Sequence, residues 1–165
     1  MKKIGVLINN LGPSQLAYYL IKNGNKFVKN GDKDLIAFFY EIVPECMRPN
    51  FSLMNLSEAY NYNGILVATD ANSASRIIEF PGTTNRFFYV WDLEWVRFPN
   101  KQFEDLSIIY NNDKLPLIAR SKTHYDLLKK IWKEPIGICE NAKIEDLYKI
   151  TSEYINGRNN NNQTI

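Results

Sequence analysis

The chain has 165 residues, 45% of them apolar and 23% charged, which suits one globular domain able to bury a real core. Twenty basic residues against 18 acidic ones leave a net charge of +2, without the basic footprint of a dedicated nucleic-acid binder, so nucleic acid is set aside as a partner. No apolar run nears the ~20 residues a membrane helix needs, and the opening MKKIGVLINN is too short for a signal peptide; a cytoplasmic protein with no membrane partner is the expectation.

Lys2 to Asn9 (KKIGVLIN) reads as a strand buried on both faces, closed by Asn9, Asn10 and Gly12. Pro13 and Ser14 then open a helix with Leu16, Tyr19 (or Leu20) and Phe27 at helical spacing, stopped by Asn30-Gly31; Gly24 inside it costs about 1 kcal/mol of helix propensity. Asp34 to Glu41, Gly64 to Thr69 and Phe87 to Trp91 are further apolar runs of strand length. Between the first two of these, Pro44 and Pro49 break the chain and a short helix is predicted near Leu53 to Tyr60. Ser73 to Phe80, with Ala74, Ile77 and Ile78 in register, predicts another helix ended by Pro81-Gly82. Phe103 to Tyr110 fits either strand or helix by pattern. The run Leu115 to Ala119 follows too soon for a parallel crossover, so a helix and then a strand are predicted. Ser121 or Thr123 caps the next helix, which turns Leu127, Leu128, Ile131 and Trp132 to one side. A last strand, Pro135 to Cys139, and a last helix, Ile144 to Ile155 with Leu147, Tyr148, Thr151, Tyr154 and Ile155 as its buried stripe, complete the fold. Residues 1–156 form the domain, and the polar end Gly157 to Ile165 (GRNNNNQTI) is expected to be disordered. Strands alternating with helices imply an α/β protein with a parallel sheet.

Absences prune the chemistry. Cys46 and Cys139 form no CxxC and are expected to be buried thiols. With one histidine, His124, and no Cys/His or Asp/Glu cluster at ligand spacing, no metal site is expected. GxxxxGK[ST], GxGxxG and GxSxG are all missing, and no cofactor is expected.

In open parallel sheets the ligand crevice lies beyond the carboxyl ends of the strands. Asn9, Asn10, Gly12 and Ser14 can set helix N–H groups against an anion or a sugar hydroxyl, or form an ordinary turn. Asp70, with Asn72 nearby, can accept from ligand hydroxyls or cap the following helix. Trp91-Asp92-Leu93-Glu94-Trp95 alternates acids with large apolar groups: the rings suit a sugar's C–H face, and Asp92 and Glu94 are the candidate catalytic bases. Equally, Trp91 can finish the core while the acids pair with Arg97, Arg86 or Arg120. Arg120 and Ser121, with His124 one turn on, suit a phosphate, or merely begin a capped helix.

Three stretches, Ile4 to Ser14, Phe88 to Trp95 (FYVWDLEW), and Leu115 to His124 (LPLIARSKTH) with its helix and Ile136 to Leu147, carry a resemblance over roughly residues 1–156. The chain resembles the N-terminal Rossmann-like half of GT-B glycosyltransferases, most of all small glycosyltransferase-like proteins of tailed phages of marine cyanobacteria. The resemblance implies a doubly wound, mostly parallel sheet with helices on both faces. It also implies a role in glycosyl transfer at a wall of a cleft that binds a sugar acceptor or sugar nucleotide, with a partner subunit or second copy completing donor binding. For a viral protein the setting would be the host cytoplasm. A non-catalytic binding protein that keeps this fold, with Trp95, Phe98 and Tyr60 as anchors for a partner or a homodimer, is the alternative.

Overall fold

The computed structural model describes residues 2–29, 31–97 and 100–161. In chain order the elements are β1 (Lys2–Ile8), α1 (Gln15–Val28), β2 (Lys33–Phe39), β3 (Ser52–Asn55), β4 (Ile65–Ala68), α2 (Ala71–Ile77), β5 (Arg86–Val90), α3 (Asn100–Tyr110), β6 (Leu117–Ala119), α4 (Lys122–Ile131), β7 (Gly137–Ile138) and α5 (Ile144–Asn161). Short 3-10 turns cover Leu56–Asn61, Glu94–Arg97 and Glu140–Ala142.

The seven strands form one sheet in the order β3-β2-β1-β4-β5-β6-β7, and every pairing is parallel. Strand order reverses between β1 and β4. Helices α1 and α5 cover one face, where Ile4, Val6, Ile8, Phe87, Tyr89 and Trp91 meet Leu20, Ile21, Phe27, Ile144 and Leu147. Helices α2, α3 and α4 cover the other, against Leu7, Phe38, Leu66, Phe88, Val90 and Leu117. The alternation along β1, with Ile4, Val6 and Ile8 to one side and Leu7 to the other, explains the unbroken apolar run. This is a doubly wound, Rossmann-like α/β fold, and its all-parallel sheet is more regular than the mostly parallel one expected.

Gly24 is explained by packing. A Cβ there would lie 2.6 Å from Leu35 Cδ2 and 2.6 Å from Phe51 Cε1, so the glycine lets α1 approach β2 closely at the expense of helix propensity.

Three expectations change. The segment predicted as a helix from Leu53 is first a strand, β3, and then a 3-10 turn from Leu56. As an edge strand β3 leaves three of its four residues exposed and carries no apolar signature; its pairing with β2 defines it instead. The polar end is helical at its start, because α5 runs on through Gly157 to Asn161; residues 162–165 lie outside the described set. Cys139 is buried as expected, whereas Cys46 is only half-buried; both are free thiols.

Candidate functional site

The carboxyl ends of β1, β4, β5 and β6 open onto a cleft of about 500 Å³ at the point where strand order reverses. Asn9 and Asn10 follow β1, Ser14 begins α1, Thr69 and Asp70 follow β4, Trp91, Asp92 and Glu94 follow β5, and Arg120 follows β6; all of these line it. Parallel strands in register end at one level, so residues far apart in sequence reach one rim.

Each acid here is held by a local partner. Glu41 Oε2 accepts from Asn9 Nδ2 at 3.2 Å and from Asn10 Nδ2 at 3.0 Å, while Asn10 Oδ1 accepts from the Gly12 amide at 3.1 Å. Asp70 caps α2: its Oδ1 accepts from Ser73 N at 2.8 Å and its Oδ2 from Ser73 Oγ at 3.0 Å. Glu94 Oε1 accepts from Ala71 N at 2.9 Å, so two carboxylates converge on the first turn of α2, where free N–H groups favour negative charge. Asp92 is looser, with its side chain half exposed and its ion-pair contact among the described residues, to Arg120 Nη1, long at 3.9 Å.

Burial raises the Glu94 carboxyl to about 7; the Ala71 amide pulls it down, and the neighbouring Asp70 and Asp92 push it up. A carboxylic acid that titrates near neutrality in a cleft can accept or deliver a proton. Its Oε1 is engaged, and among the described residues Oε2 has no hydrogen-bond partner.

Arg120 is the one cation lining the cleft among the described residues. Its guanidinium lies over the Trp91 ring at 4.4 Å from the centroid, and Nη1 donates to the Trp91 carbonyl at 3.1 Å. Trp91 is therefore sandwiched, with Tyr89 and Tyr19 at 5.9 and 6.4 Å on the protein side, and is only 7% exposed. It offers no open ring face for a sugar.

Five sequence candidates stand elsewhere. Trp95 packs on the opposite face of the sheet against Tyr110 and Trp132 at 5.0 and 5.7 Å, because the 3-10 turn after β5 carries it away from Trp91. It belongs to the core. Gly12 is buried beneath the β2–β3 connection, where a Cβ would meet Val43 Cγ2 at 2.9 Å. Asn72 is exposed on α2 and its carbonyl accepts from Ser75 Oγ. Ser121, rather than Thr123, caps α4, accepting from His124 N at 3.2 Å. His124 does not line the cleft; burial and then Arg120 lower its pKa, and a backbone hydrogen bond with Val90 opposes them. Arg86, one of the possible partners for the acids, begins β5 and lies at the other end of the strand.

Gln15 and Leu16, which sequence reasoning passed over, also line the cleft. The signal available for both was their place in the first turn of α1.

Among the described residues no group of His, Cys, Asp and Glu is placed to hold a metal ion, and no helix is long and apolar enough to cross a membrane. Fold and rim together define a Rossmann-like α/β protein with an acid-rich crevice at its topological switch point. No family model matches the chain, and neither does any curated protein or solved structure.

Proposed function

We propose that the cleft binds a hydroxyl-rich ligand, a sugar acceptor, and that the protein is the acceptor-side half of a GT-B-like glycosyl-transfer system. The observation that carries this reading is Glu94, a carboxyl held near neutrality with one oxygen free, in a cleft that also presents Asn9, Asn10, Asp70 and Asp92. Glu94 is the base that takes the acceptor hydroxyl's proton, and Asp92, the least constrained of the acids, accepts from a neighbouring hydroxyl. Donor binding is assigned to a partner subunit, since three carboxylates and a single cation already committed to Trp91 make a poor seat for a sugar nucleotide's diphosphate.

Isothermal titration of the full chain against neutral sugars and sugar nucleotides tests this. Neutral sugars should give heat, binding should strengthen as pH rises through about 7 while Glu94 ionises, and Glu94→Gln should remove that pH dependence. Silence across the whole panel would sink the reading.

A second reading, a binding protein without turnover, draws on a specific observation: Asp70 and Glu94 both serve as caps of α2. In that reading Tyr60, 52% exposed, remains as a partner anchor; Trp95 is buried, and Phe98 lies outside the described residues. Mass spectrometry of sugar and sugar nucleotide incubated with the protein and its captured partner separates the two readings, because only the first yields a glycosylated product.

A further inference from the structure

A second pocket of about 500 Å³ lies at the amino ends of the strands, opposite the cleft, between the starts of β5 and β6 and the last turns of α5. Its wall holds Arg86, Lys114 and Arg158 and, among the described residues, no acidic one. None of these cations forms an ion pair among the described residues. Thr84, Asn85 and Asn159 add neutral hydroxyl and amide groups.

Arg86 is the most firmly held of the three. It is part-buried; its two Nη atoms donate to the carbonyls of Ile78 and Phe80, and its Nε is buried with no acceptor. Those carbonyls close the C-terminal end of α2, so Arg86 is fixed there as a cap of that helix, with no carboxylate partner among the described residues. Burial accordingly lowers its pKa. Arg158 has a structural role as well: it stands in the last turn of α5, where a cation meets the negative helix end, and lies over Tyr154 at 5.8 Å. Lys114, in the same wall, has no ion pair among the described residues.

We infer that this pocket is a binding site for a small, multiply charged oxyanion of the phosphate class. Lys114 and Arg158 are exposed and supply the mobile charge that meets the anion, while Arg86, held on the carbonyls beyond α2, adds only a fixed positive charge to the wall.

The test is thermal unfolding of the full chain in pyrophosphate or inorganic phosphate, with sodium chloride at matched ionic strength as the reference. Pyrophosphate should raise the midpoint by about 3 °C at saturating concentration, and inorganic phosphate should raise it less. Lys114→Gln and Arg158→Gln should each weaken the apparent affinity by about fivefold to tenfold, and the double variant should lose the response. Both side chains are exposed, so the variants should fold; Arg86 is left intact because it ties two carbonyls. Amide shifts in a nitrogen-proton correlation spectrum should move at Thr84, Asn85 and Asn159 and stay still at Asn9 and Asp70. A midpoint rise no larger than that in sodium chloride, an unchanged response in the double variant, or shifts confined to Asn9 and Asp70 would each overturn the inference.

Discussion

The two ends of the sheet carry opposite charge and treat it in opposite ways. At the carboxyl end Asp70 and Glu94 are pinned by the first turn of α2, and the one cation lies on an indole. At the amino end Arg86, Lys114 and Arg158 share a wall with no acidic side chain among the described residues. A net charge of +2 hides this segregation entirely. The difference teaches that a charged residue's meaning lies in what the fold sets against it: the acids at one end meet backbone amides and a cation, whereas the cations at the other meet carbonyls and a ring but no opposite charge among the described residues.

Variants at each end sharpen the contrast. Trp91→Ala should have the largest effect, a loss of about 3–5 kcal/mol, because a buried indole leaves a cavity. Arg120 also loses its platform, and denaturant melts with sugar titrations would show stability and ligand heat falling together.

Glu94 comes next. Its carboxyl, ordinarily near 4.5, is pushed up to about 7 in the fold, so the folded state holds a proton that the unfolded state has released. Stability therefore falls as pH rises between those values, and the penalty is complete above the folded pKa. Glu94→Gln keeps an acceptor for the Ala71 amide and should be more stable than the parent at pH 8 by about 1–3 kcal/mol, with the two converging near pH 4. A parent stability that climbs across this range would refute the assignment.

Asp70→Ala removes the cap from α2 and should cost about 1 kcal/mol in urea unfolding, with Asp70→Asn recovering most of it. The smallest change belongs to the amino end. Lys114→Gln with Arg158→Gln should alter stability by no more than about 0.5 kcal/mol in low salt, in the stabilising direction if mutual repulsion dominates. A large loss there would mean that the cations are already satisfied and would erase the contrast between the two ends.

Much of this was legible before any coordinates. Six of the strands appear as apolar runs, and the rule that ligands gather beyond strand ends places Asn9, Asn10, Ser14, Asp70, Trp91, Asp92, Glu94 and Arg120 together, as the cleft does. The edge strand Ser52–Asn55 was invisible because hydrogen bonds to β2, and no burial pattern, define it. Trp91 and Trp95 look equivalent in WDLEW until the 3-10 turn sends them to opposite faces of the sheet. The dual role of Asp70 was readable as a choice of cap or ligand; that Glu94 reaches the same turn from 23 positions away was not. Arg86, Lys114 and Arg158 are too far apart in sequence to register as a charge run, and only the antiparallel return of α5 along the strands brings them together.

Both margins of the sheet are short: β3 has four residues with mostly exposed side chains, and β7 has two. Such borders present few unpaired backbone donors and acceptors, so strand-by-strand templating between neighbouring molecules has little to grip. Congeners that lengthen either border would be the ones to watch for fibre growth or swapped dimers, and this chain should remain dispersed when concentrated.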